Sequence, residues 1–409
     1  MRNSVQPKLI VLPSGLRIVH RHDRGARVDY CGVMAAVGSR NDDPDSPGMA
    51  HFVEHTIFKG TLRRSAWHIL NRMERIGGEL NAYTTKEETV VYCAAPASHH
   101  LRAIELIADL VINSQFPERE ICKERDVVAD EINSYLDSPA DAIIDDFEDL
   151  IFAGTPLGHN ILGTEEALSR FTSESCRDYL HKWYTRSNII VFYCGPASAE
   201  RIASAVEKYF SALPQGAPQV QERLTLPNVK FDHTRRLDLH QAHVAMGATV
   251  PSMRSPERFT YFLLNNILGG PGMNSLLNLD LREHRGLVYT VESNLGLLSD
   301  TGLMLIYFGC DPGDAARCRK LIEDRIADLA AAPLTERYVS AAKKQYIGQL
   351  TVASDNREST IISAARAALI YNRLSDTKQL VEEIEAVTPE MLRSAAESAA
   401  CRSVLTFAP

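Results

Sequence analysis

Two long stretches of the chain align with each other without a gap. FPEREICKERDVVADEINSYLDSPADAIIDDF begins at Phe116, and LTERYVSAAKKQYIGQLTVASDNRESTIISAA begins at Leu334. They share an early Glu-Arg, a long helical period and a second helix-like segment. A repeat of this length constrains the fold strongly, because what the first half builds the second must build again. The upstream order agrees. VDYCGVMAAVGS and HVAMGATV are strand-like, rich in small and β-branched residues. GMAHFVEHTIF and RFTYFLLNNIL follow them as helix-like segments, and another helix and further strands come next. Each half therefore reads as a sheet covered by helices. The expected fold class is α+β, with two structurally similar domains from an internal duplication, each a mainly antiparallel sheet. A Pro/Gly-rich stretch, LPQGAPQVQERLTLPN, reads as the linker. The expected domains are residues 1–213 and 229–409, with 214–228 between them. Two unrelated α+β domains are the alternative.

The composition excludes several classes. A net charge of −8 in 409 residues argues against a general nucleic-acid footprint. No segment approaches a membrane span in length, and the N-terminal apolar run stops at Pro13, too short for a secretory core. A cytoplasmic protein is expected. None of the eight cysteines forms a CxxC pair, so buried free thiols are preferred to a disulfide framework, and cysteine metal ligation is unsupported.

The repeat is unequal in its charged residues. MAHFVEHTIFKG carries His51, Glu54 and His55, whereas its counterpart RFTYFLLNNIL has no histidine or carboxylate. Glu131 falls opposite Gln349, and Glu124 opposite Ala342. The chemistry is thus expected in the N-terminal half. On a helix, His51 and His55 lie four apart on one face and can offer imidazole nitrogens to one zinc. Glu54 is offset by one position, within reach of a water rather than of a ligand place. A catalytic zinc takes three protein ligands and lowers the pKa of coordinated water towards about 7. Glu124 and Glu131, two turns apart on CKERDVVADEINSYL, are both candidates for the third ligand. The competing reading is a helix with two solvated histidines beside a solvated acidic face.

HFVEH is the inverted zincin motif. Its flanks, VGSRNDDPDSPGMAHFVEHTIFKGT, closely resemble the pitrilysin/insulinase-like (M16) zinc peptidases. The resemblance continues in LPSGLRIV, GGELNAYTTKEETVVY, ERDVVADEI, PLGHNILGT and GGPGMNSLLNLDLREHRGLVYTV, in family order along nearly the whole chain. The chain is most similar to the short two-domain form, the mitochondrial processing peptidase subunits and their bacterial relatives. The resemblance implies one zinc ion per chain held by His51, His55 and Glu131. It makes Glu54 the general base and Glu124 an acidic support on the same helix. Relatives often carry an acid near Asn41, a place that Asp42 can fill.

Amide hydrolysis also needs the peptide held and the oxyanion stabilised. In ELNAYTTKEETVVY, Asn81 and Ala82 match the family's edge strand, to which substrate adds as a further strand. Spacing alone would make Arg282 a surface residue and Tyr289 a core one. The family pattern makes them a pair that holds the substrate and donates to the oxyanion. The resemblance further implies a homodimer that closes like a clamshell, Arg282 and Tyr289 serving the zinc site of the other chain; a heterodimer with a related subunit is the variant. The expected function is zinc-dependent cleavage of short unstructured peptides. The alternative is a non-catalytic or partner-dependent subunit that mainly binds peptides.

Overall fold

The computed structural model describes residues 6–217, 224, 229–374, 376–400 and 403–409. The strands are β1 (Lys8–Val11), β2 (Arg17–His22), β3 (Val28–Ala35), β4 (Glu79–Thr84), β5 (Thr89–Pro96) and β6 (Ile189–Gly195) in the first sheet. The second sheet holds β7 (Asp232–Arg236), β8 (Ala242–Val250), β9 (Val288–Leu297), β10 (Gly302–Cys310) and β11 (Ser403–Ala408). The strand orders are β1-β2-β6-β3-β5-β4 and β7-β11-β8-β10-β9. Apart from β1, the two orders are the same. Each sheet has one parallel pair, β2 with β6 and β7 with β11, and every other pair is antiparallel. The α+β duplication is therefore present in the topology itself.

Both faces of the first sheet are apolar, which its strands achieve by alternation. Cys31, Val33 and Ala35 of β3 point into one core with the Met49–Thr56, His100–Asn113 and Ser173–Trp183 helices. Met34, Ile190, Phe192 and Cys194 point the other way. That second face is covered by the Arg357–Tyr371 helix, through Ile361, Ile362, Ala365 and Ala368. Polar contacts pin this helix to the sheet. Arg366 forks onto the buried Glu88 (Nε to Oε2 2.8 Å), and Tyr92 donates to Glu358 at 2.9 Å.

The compact units consequently differ from the two contiguous halves expected at the linker. One unit comprises Met1–Ile132, His159–Gln221 and Ala353–Ser375; the other comprises Asn133–Gly158, Glu222–Val352 and Asp376–Pro409. The Pro139–Ile151 helix belongs to the second unit, where Ile143, Phe147 and Ile151 pack on Ala245, Leu305 and Leu405. The reason is physical: each sheet buries two faces, and each repeat sends one helix to the other repeat's sheet. Within the expected linker, residues 218–223 and 225–228 lie outside the described residues.

The seven described cysteines are free thiols. No helix among the described residues is long and apolar enough to cross a membrane.

Candidate metal centre

The site begins with how its helix starts. The Met49–Thr56 helix is entered through Gly48, whose φ of 94° is left-handed. A Cβ there would meet Leu162 O at 2.6 Å, so glycine is required for both conformation and space. Asp42 then accepts from the backbone N–H groups of Gly48 (2.8 Å) and Ala50 (2.9 Å), which a helix N-terminus leaves without intrahelical partners. Asp42 is buried, and burial pushes its carboxyl up to about 7 against the pull of those N–H groups.

The next turn brings the histidines together. The His51 and His55 rings lie 4.5 Å apart. The Glu118–Leu136 helix supplies both acids. Glu131 Oε2 sits 3.7 Å from His51 Nε2 and 3.3 Å from His55 Nε2. Ligand atoms of His51, His55 and Glu131 all lie within 4.8 Å of one another, the one such cluster among the described residues. Two imidazoles and a carboxylate are a donor set of catalytic zinc sites, so the residues fit the ion.

Glu124 takes a different place. Its Oε1 lies 3.1 Å from His55 Nδ1, and its Oε2 lies 2.6 Å from Lys59 Nζ. Glu124 thus holds the side of the ring that faces away from Glu131. Glu131 meets both imidazoles, whereas Glu124 meets only the back of one.

Electrostatics follow the same division. Burial lowers His51, with His55 adding to the effect, to about 4. Burial would also lower His55, but hydrogen bonds to Glu124 and Glu131 outweigh it and raise the ring to about 9. Glu131 is held below the ordinary carboxylate range by its hydrogen bond with His55. For Glu124, burial is overcome by His55 and Lys59, and its carboxyl is also lowered. The pocket therefore favours positive charge between two carboxylates. Metal binding would compete with a proton for His55.

Glu54 is half-buried, and burial raises its pKa. Thr84, the last residue of β4, donates to Glu54 Oε2 at 3.1 Å. Asn81 and Ala82 lie earlier on β4, which among the described residues pairs only with β5 and so stands at the edge of the sheet. In the second unit, Arg282 lines a cavity of about 370 Å³ with Gly269, Gly270 and Asn278. Tyr289, on β9, is 65% exposed rather than a core residue.

Residues 17–165 match the family model described as insulinase (peptidase family M16), and residues 170–346 match the one described as the peptidase M16 inactive domain. The uncharacterized zinc protease YmxG of Bacillus subtilis is 32% identical over 384 residues, covering 94% of this chain and 93% of that protein. The chain belongs to the M16 peptidase family. A further M16 relative, an uncharacterized zinc protease of Mycobacterium tuberculosis, is 32% identical over 397 residues, 96% of this chain and 90% of the relative. Two solved structures share the M16 fold, each at a TM-score of 0.90. A peptidase M16 inactive domain from Pseudomonas fluorescens is 18% identical and covers 99% of this chain, with 98% of its own length matched. A Helicobacter pylori protease is 22% identical, with 99% of both chains covered.

Sequence reasoning missed Lys59 and Thr84 in this M16 site. Lys59 carried no helical signal, since it lies beyond the end of the helix at Thr56. Thr84 carried a signal, lying two residues after Ala82 and so on the same strand face.

Proposed function

We propose that the chain is a zinc-dependent endopeptidase that cleaves short unstructured peptides. The observation that carries this reading is the approach of His51, His55 and Glu131 around one point, with Glu54 next to it on the same helix. His51, His55 and Glu131 would hold one zinc ion. When bound, the ion would supply Lewis acidity and lower the pKa of water to about 7. Glu124 would orient His55 and keep its Nε2 aimed at the ligand side. Glu54 accepts a proton from the attacking water and returns it to the leaving amine nitrogen.

The peptide would add to the open edge of β4 at Asn81 and Ala82. Backbone hydrogen bonds of this kind select extended chains with little sequence preference. Arg282 would hold a substrate carbonyl, and the Tyr289 hydroxyl would donate to the oxyanion. Both side chains are substantially exposed, as groups awaiting a partner's substrate would be. In this reading the protein works as a cytoplasmic homodimer closing like a clamshell, each copy lending Arg282 and Tyr289 to the other. A second reading, a peptide-binding subunit completed by a related chain, draws on the inactive-domain match of residues 170–346. The complete ligand set in the other half favours the first.

The test is Glu54→Gln at unchanged zinc content. Peptide hydrolysis is expected to drop to background while zinc remains at one per chain. Hydrolysis at the wild-type rate in that variant would remove Glu54 from the mechanism.

A further inference from the structure

The base Glu54 is tied to the strand proposed to carry the peptide. Thr84 Oγ1 donates to Glu54 Oε2 at 3.1 Å, from the end of β4. Thr84 and Thr89 face each other across the β4–β5 pair, with their hydroxyls 3.5 Å apart. Thr89 is buried, and its own proton goes to Val37 O at 2.9 Å. Thr89 therefore has no proton left for Thr84, and its hydroxyl is the weaker acceptor. The Thr84 proton is directed to the carboxylate, which is closer and charged.

A carboxylate on a flexible glutamate swings about its terminal torsion, which is broad and nearly two-fold. A donor fixed on a strand removes that freedom by holding one oxygen, and it leaves the other available to a water. No comparable hydroxyl comes from the Met49–Thr56 helix itself, whose one hydroxyl, on Thr56, donates back to Phe52 O at 2.6 Å.

We propose that Thr84 is a positioning residue for Glu54: its hydroxyl sets the carboxylate and couples it to the register of β4. The strand that receives the substrate would then also aim the base. This inference rests on the peptidase reading above and adds a residue to it.

The test pairs Thr84→Val, which keeps the shape and removes the donor, with Thr84→Ser, which keeps the donor. In Thr84→Val, kcat for a peptide is expected to fall about 10- to 100-fold, the size of one hydrogen bond to a charged group, with KM little changed. Thr84→Ser should stay within about threefold of wild type. Zinc content, measured on the same samples, should be equal in all three proteins. A second readout does not need turnover. Affinity of the zinc-loaded protein for a peptide hydroxamate, whose proton Glu54 would accept, should weaken about tenfold in Thr84→Val and recover in Thr84→Ser. Equal kcat and hydroxamate affinity in Thr84→Val and wild type would overturn the proposal. So would Thr84→Ser behaving like Thr84→Val, which would assign the effect to packing. A wild-type protein that binds zinc and hydroxamate yet cleaves no peptide would sink the peptidase reading; the hydroxamate comparison would still decide the role of Thr84.

Discussion

Glu124 Oε1 and His55 Nδ1 lie 3.1 Å apart, on the side of the imidazole away from Glu131. A partner of this kind fixes the ring's tautomer and raises its basicity towards a metal. Glu124→Gln keeps the shape and loses the charge. Zinc affinity, measured by competition with a chelating dye, is expected to fall about 10- to 100-fold. Glu131→Gln should cost more, because it alters an atom that meets both imidazoles. Equal losses in the two variants would contradict the proposed division of roles.

Asp42 gives a pH dependence with a definite sign. Burial raises its folded pKa to about 7, above the value near 3.9 of an unfolded chain. A raised acid contributes its full stability below the unfolded value and loses it as pH rises towards the folded one. The unfolding free energy of wild type relative to Asp42→Asn should therefore decline from about pH 4 to about pH 7 and level off above. Urea titrations of both proteins with chelator present would measure it. Parallel pH curves would mean that Asp42 does not change its ionisation on folding.

The helix exchange can be tested by a single truncation. Ile361 is fully buried on the far face of the first sheet, among Val19, Met34 and Phe192. Ile361→Ala should cost about 2–5 kcal/mol. Because that sheet also carries the metal helix on its opposite face, zinc loading should slow unfolding of the variant. A loss below about 0.5 kcal/mol, the range of surface substitutions, would show that the face is not covered in solution.

The proposed sharing of active sites between copies makes a quantitative prediction. Glu54→Gln and Tyr289→Phe are each expected to be nearly inactive. When the two variants are mixed and allowed to exchange subunits, half the dimers pair one of each, and each such dimer regains one site. Activity should rise to about a quarter of wild type. If each chain uses its own Tyr289, mixing restores nothing.

Much of this was legible in the residues. The ungapped repeat already placed Pro139 opposite Arg357, and both begin helices. What it could not show was that each of these helices lies on the other repeat's sheet. Period and composition state that a helix has an apolar face, not which sheet receives it. The histidine pair was visible because four-residue spacing has one geometric meaning on a helix. The different surroundings of Glu124 and Glu131 were not visible from spacing, since both lie on one stripe; only the packed helices show that Glu131 reaches both rings. Tyr289 reads as a core residue by its apolar neighbours, yet it sits on an exposed register position of β9. Thr84 shares a strand face with Ala82, but that alternation does not show that its hydroxyl reaches Glu54.

The Arg357–Tyr371 helix also sets an order of events during synthesis. All strands of the first sheet have been made once Gly195 is added, but the cover for one of its faces ends at Tyr371. At about 5–20 residues per second, the ribosome needs roughly 10 to 35 seconds to close that gap. Through this interval Phe192, Met34 and Ile190 face water or a chaperone. The half that bears His51, His55 and Glu131 is therefore finished late, although it is made first. A premature stop in the second half would release a chain with His51, His55 and Glu131 in place and an open hydrophobic sheet.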